Sequence, residues 1–312
     1  MAEESPKTVV VAVGADLLVA VAKAVVAAIG GSAAMAAEAV HSFVDAANQA
    51  LLIVGNRRSA RPADDAHPFG HGAEVYFWAI VVAGVIFALG GGATIVEGVY
   101  RFMHPEPPTH VVLSYAVLAL AFVADGTALT IAVRALRRTY PNRPLHKAIR
   151  ASKDPNVFVV VLEDGAALLG ILLAAAGTVG SQLTNDGRAD AAASIAIGLL
   201  LGAVAIAMMS EIASLLTGES IDPEVVRTIE TIAREQDGVA EVQSVKTMTL
   251  GPRNVIVALH LVLDADQSLE EATVAIDRIR TTLKEREPVI GEVFVHVHAP
   301  GVGACRAAAQ SG

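Results

Sequence analysis

His41 and Asp45 stand four residues apart inside the apolar run AAMAAEAVHSFVDAANQALLIVG. On a helix that spacing puts both side chains on one face. An imidazole nitrogen beside a carboxylate oxygen is half of a tetrahedral zinc site. The same two groups, hydrogen-bonded to each other, would instead hold two helices together. Both readings stand on the pair alone. A second apolar run, VVVLEDGAALLG, carries Glu163 and Asp164. Neighbours on a helix diverge by about 100°, so one carboxylate can face a binding cavity while the other pairs with an adjacent helix.

Two further groups have metal-ligand composition. RPADDAHPFGHG places Asp64, Asp65, His67 and His71 within a short loop; it reads either as a ligand set or as a solvated Asp- and Pro-rich turn. Near the C-terminus, EVFVHVHAP has strand alternation, so His296 and His298 share one face. With His260 from a neighbouring strand they form three imidazoles that either bind zinc or stand as exposed polar groups on a sheet.

These groups need elements to position them. The chain is 54% hydrophobic and only 18% charged, with a mean hydropathy of +0.53. Six apolar stretches are long enough for a bilayer helix of about 20 residues. They run roughly over 9–29, 32–55, 73–102, 111–136, 155–180 and 189–216. The first follows the acidic start MAEESPK and reads as a retained span, not a cleaved signal. Positive charge collects after the second stretch (Arg57, Arg58, Arg61) and after the fourth (Arg134, Arg137, Arg138, Arg143, Lys147, Arg150, Lys153), while the opposite loops hold chiefly Arg101 and Arg188. The positive-inside rule then predicts both basic loops and both termini in the cytosol. The expected setting is a multi-pass protein of a bacterial inner membrane.

After Leu216 the composition changes. DPEVVRTIETIAREQ has helical periodicity with Asp222 as cap. VAEVQSVKTMTL and NVIVALHLVLD alternate as strands on either side of a Gly251-Pro252 turn. SLEEATVAIDRIRTTLKER opens with Ser268 and Glu271 in capping-box spacing. The predicted organisation is a six-helix transmembrane domain over residues 1–217, a small α+β cytosolic domain of order α-β-β-α-β over 218–300, and a disordered tail over 301–312. So small a domain has limited room for a core, which points to dimerisation as support.

Other charges lie in the apolar runs: Asp16, Lys23, Glu38, Glu97 and Asp125. A charge at the bilayer centre costs about 2.5–3.5 kcal/mol or more and marks a pathway or a paired group. Glu97 and Arg101 read as an i, i+4 surface pair. Asp125 reads as a relay group or a partner for Lys23. The net charge of −9 argues against a nucleic-acid partner, and the single Cys305 allows no internal disulfide. No GxxxxGK[ST], HExxH or GxSxG motif occurs, so neither a nucleotide-driven pump nor a common hydrolase is read here.

Together, GGSAAMAAEAVHSFVDAANQ, HPFGHGAE, a carboxylate in the fifth span and a C-terminal domain ending in HVH resemble the cation diffusion facilitators, over about residues 7–300. The resemblance implies a homodimer, joined through a metallochaperone-like cytosolic domain, that exchanges a divalent metal for protons. It makes His41, Asp45 and Asp164 the membrane ligands, Asp64, His67 and His71 a loop site, and His260, His296 and His298 a cytosolic site. Zn2+ is the implied substrate and regulatory ligand; the mixed nitrogen and oxygen set also accommodates Co2+, Fe2+ or Mn2+.

The chain departs from the family at Val160, where many members carry a His or Asp four residues before the span-five carboxylate. KDPNVFVVVLEDGAALLG is instead similar to a subgroup that includes mitochondrial zinc-transporter-like proteins. Asn156, Glu163, Asn48 or water are then the candidate fourth ligands. Gln243 and Thr273 also replace histidines of some cytosolic domains. Val160 leaves room for two other readings: a membrane-anchored metal-sensing scaffold with a decayed transport site, or a proton-coupled transporter of another solute using Asp125 and Asp164.

Overall fold

A computed structural model describes residues 6–152, 155–252 and 254–298. Lys153, the tail with Cys305, and the side chains of Asp16, Arg150 and Asn156 lie outside what is described. The chain divides into two compact units: one gathers the long helices, the other gathers Ser59–Glu74 and the chain from Ser214 onward.

The helical unit contains six long helices among the described residues. They are α1 (Pro6–Gly30), α2 (Ala33–Ser59), α3 (Glu74–Met103), α4 (Val111–Thr139), α6 (Pro155–Thr184) and α7 (Arg188–Leu216). Four of them, α3, α4, α6 and α7, are long and apolar enough to cross a membrane on length and composition. The second is as long as these but carries Glu38, His41, Asp45 and Asn48 along its length. Exposed Leu120, Val123 and Ile131 leave α4 with an apolar outer face suited to lipid.

Several local features follow from residue type. Gly31, at φ 68°, separates α1 from α2, a backbone region that suits glycine. Asp190 of α7 accepts from Ser32 Oγ (2.8 Å) and from the backbone N–H of Ala34 (3.1 Å), so a carboxylate from another helix satisfies orphan donors at the start of α2. The centre of α3, Ile86–Ala93, is π-helical and contains Gly90, Gly91 and Gly92. A Cβ on Gly91 would sit 3.2 Å from the backbone of both Gly198 and Gly202, so α3 and α7 meet almost backbone to backbone. The basic connection holds a short helix, α5 (Leu145–Ser152), where the sequence reading has a loop; its Ala148 is fully buried, and the apolar spacing of Leu145, Ala148 and Ile149 is helical.

The second unit has the predicted order: α8 (Pro223–Arg234), β1 (Val239–Gly251), β2 (Asn254–Leu263), α9 (Leu269–Arg286) and β3 (Ile290–His298). β1 pairs antiparallel with β2, and β2 pairs parallel with β3 through the α9 crossover. One face of the sheet supplies Val255, Val257, Leu259, Leu261 and Val293 to a core closed by Ile229 and Ile232 of α8 and Ile279 and Leu283 of α9. The pleat therefore sends Ala258, His260, Phe294 and His296 to the other face.

Asp222 caps α8 through its side chain, and Ser268 and Glu271 form the reciprocal capping box of α9. The Ser268 backbone N–H and hydroxyl hold the Glu271 carboxyl below its ordinary 4.5. A depressed carboxylate stabilises the fold above its unfolded value and ceases to do so as pH falls through the lowered folded value. Ser268→Ala is expected to destabilise α9 by about 1 kcal/mol, read as faster amide exchange there in the full chain. The difference between wild type and Glu271→Gln is expected to shrink in acid.

Candidate metal centres

In α2, His41, Asp45 and Asn48 follow i, i+4, i+7 spacing and so share a helix face. His41 is 1% exposed, and its Nε2 lies 3.4 Å from Asp45 Oδ2. Both His41 ring nitrogens, Asp45 Oδ1 and Asn48 Oδ1 are buried with no hydrogen-bond partner. Buried polar atoms of this kind are rare and call for a specific explanation, an ion among them. Across the helix contact, Asn48 Nδ2 donates to Glu163 Oε1 at 2.5 Å, and the Asp45 carboxyl is in side-chain hydrogen-bond contact with Glu163.

Glu163 of α6 is thus bonded to this face, one position before the expected Asp164. The glutamate has one more methylene with which to span the gap, and the two residues point about 100° apart. Asp164 Oδ2 is itself buried. The expected trio His41, Asp45 and Asp164 is not drawn to metal-binding distances: among the described residues, the one set of three or more ligand atoms mutually within 4.8 Å is Asp64, His67 and His71.

One turn from His41, Lys23 is paired with Glu38 and not with the Asp125 offered for it by the sequence. Lys23 of α1 donates to Glu38 Oε2 (3.1 Å) and to Ser42 Oγ (2.8 Å), with Lys23 and Glu38 both fully buried. Gly170 of α6 allows this: a Cβ there would collide with Glu38 Oε1. The ammonium expected for Asp125 thus has a partner on α2. Glu97 and Arg101 form the anticipated exposed pair, 2.9 Å apart.

The loop before α3 is organised around Asp64. Its Oδ1 accepts from the backbone N–H groups of Ala66 (3.0 Å) and His67 (2.7 Å), an Asx-type turn. Its Oδ2 accepts from His71 Nε2 at 3.0 Å, while His67 Nδ1 stands 3.3 Å from Oδ1. The His71 bond first, and the His67 backbone N–H second, hold the Asp64 carboxyl down to about 2, so it is anionic throughout the neutral range. The imidazole rings are 4.1 Å apart between centroids. Asp64, His67 and His71 are thus gathered as the loop reading requires, and Asp65 is not part of the set.

This loop belongs to the same unit as the small sheet. Asn254 Nδ2 donates to Phe69 O at 2.9 Å, and the Phe69 ring meets Phe294 edge-on at 6.2 Å. A Cβ on Gly72 would be 2.6 Å from Leu250 O. Metal-soaked crystals of the wild type are expected to show an anomalous peak at these three side chains, and Asp64→Ala to lose it. A peak of unchanged height would show that the two histidines suffice.

On the open face of the sheet, His260 and His296 are direct partners in the parallel register, with His298 two positions on. Ring centroids are 5.3 Å (260–296), 4.4 Å (296–298) and 6.4 Å (260–298) apart. Partial burial, then the neighbouring His296, Lys246 and His298, push the His260 imidazole below 6.5. The rings are assembled, but their ligand atoms do not converge as those of the loop do. Parallel pairing sets the spacing of the rings.

Comparison with known proteins places the chain in a family. The model of the cation efflux transmembrane domain matches residues 9–217, and that of the cation efflux protein cytoplasmic domain matches residues 221–299. The chain is 33% identical over 228 residues to the proton-coupled zinc antiporter SLC30A9, mitochondrial, of Xenopus laevis, a match covering 72% of this chain and 41% of that protein. It is 34% identical over 218 residues to metal tolerance protein C4 of Arabidopsis thaliana, covering 69% of this chain and 48% of that one. The chain thus spans less than half of these longer relatives. Manganese efflux system protein MneP of Bacillus subtilis is 25% identical over 298 residues, covering 94% and 96% of the two chains.

Proposed function

Because the chain belongs to the cation efflux, or cation diffusion facilitator, family, we propose that it exports a divalent metal cation, zinc foremost, from the cytosol in exchange for protons. The observation that supports this reading is the buried face of α2, where His41 and Asp45 hold unpartnered donor atoms on the face that Glu163 of α6 meets. One neutral nitrogen with carboxylate oxygens suits zinc, and two carboxylates neutralise its charge. Ligands bind metal only when deprotonated, so metal and proton compete for the same lone pairs. An inward proton gradient then empties the site outward by alternating access.

Basic connections and both termini face the cytosol on this reading, and two copies join through the cytosolic domain. The loop and sheet histidines bind regulatory metal. The near-backbone contact of Gly91 with Gly198 and Gly202 allows α3 and α7 to slide. The test is zinc uptake into vesicles holding purified protein under an imposed pH gradient, with Asp164→Ala as the inactive control. Absence of uptake by well-folded wild type at any gradient would favour the metal-sensing scaffold, the reading suggested by Val160.

A further inference from the structure

We propose that Glu163 is a metal ligand of the membrane site, supplying the donor that Val160 cannot; this rests on the transport reading above. Val160 offers no lone pair at the position one turn before Asp164. Glu163 is 7% exposed on a helix whose apolar neighbours give no reason for a carboxylate. Its Oε1 is already joined to Asn48, and its carboxyl already meets Asp45. Both partners lie on the α2 face that carries the unpartnered nitrogens of His41 and the unpartnered oxygens Asp45 Oδ1 and Asn48 Oδ1.

A cation entering there meets donors on His41, Asp45, Glu163 and Asn48, in addition to the Asp164 of the transport reading. The resulting set is richer in oxygen than a His–Asp–His–Asp arrangement, and its hard donors admit manganese as well as zinc. Glu163 is on this reading a selectivity residue and not only a brace between α2 and α6.

The experiment measures zinc and manganese flux separately, in vesicles carrying wild type, His41→Ala, Glu163→Gln, Glu163→His and the double variant Val160→Asp/Glu163→Gln. Glu163→Gln is expected to lower zinc flux by about tenfold or more. Glu163→His is expected to raise the zinc-to-manganese ratio about tenfold by exchanging an oxygen for a nitrogen donor. Val160→Asp is expected to recover most of the flux lost in Glu163→Gln. Wild-type flux in Glu163→Gln, with His41→Ala inactive, overturns this inference and leaves the transport reading intact. So does an equal fall of both metals in Glu163→His, the signature of a structural brace. Wild type that moves neither metal overturns both.

Discussion

Exchange of His41 for alanine is expected to lower zinc flux into vesicles by about 100-fold or more, since loss of even a supporting ligand partner costs metal sites 10- to 100-fold. The side chain is 1% exposed and neither ring nitrogen has a hydrogen-bond partner. Removing it therefore breaks no structural bond among the described residues beyond the 3.4 Å approach to Asp45. Alanine is also the better helix former, so the fold should be retained, measured as an unchanged thermal transition in detergent. Asp45→Asn keeps the shape and deletes the charge; it should lose flux to a similar degree. Near-normal flux in either variant would mean that the α2 face is not where metal binds.

The second large effect concerns stability. Lys23→Met should destabilise the helical unit by about 3–5 kcal/mol, because it leaves Glu38 buried without its counter-charge. Lys23 Nζ lies 3.1 Å from Glu38 Oε2, and both side chains are sealed from solvent. The pair links α1 to α2, and Gly170 lets the carboxylate lie against α6. Replacing both charges, as Lys23→Met/Glu38→Met, should recover most of the loss, since two apolar side chains need no partner. Midpoints of thermal unfolding for the wild type, both single variants and the double variant measure this directly. A Lys23→Met protein within about 1 kcal/mol of wild type would show that the ammonium is in contact with water.

The features legible in the sequence were those that repeat locally. The i, i+4 spacing of His41 and Asp45 determines their shared face wherever α2 packs. Alternation in NVIVALHLVL determines that His260 faces away from Val257, Leu259 and Leu261, and the Ser268–Glu271 spacing is itself the start of α9. The histidines and carboxylates of all three candidate centres are visible for the same reason: few residue types can hold a metal, and clustering or an apolar run makes them conspicuous.

What the tertiary structure decided is which of these residues meet. Adjacent carboxylates are equivalent in a sequence, and only the rotational phase of α6 against α2 selects Glu163 as the one bonded to Asn48. Lys23 could be matched to any carboxylate until the packing of α1 on α2 chose Glu38. The loop reads either as a ligand set or as a solvated turn, and only folding sets Phe69 edge-on to Phe294 at 6.2 Å and ties the loop to the sheet. Periodicity is a property of neighbouring residues along one chain and is written in their order. Partner choice depends on how separate elements turn toward each other, and that is settled by the summed packing of every side chain between them.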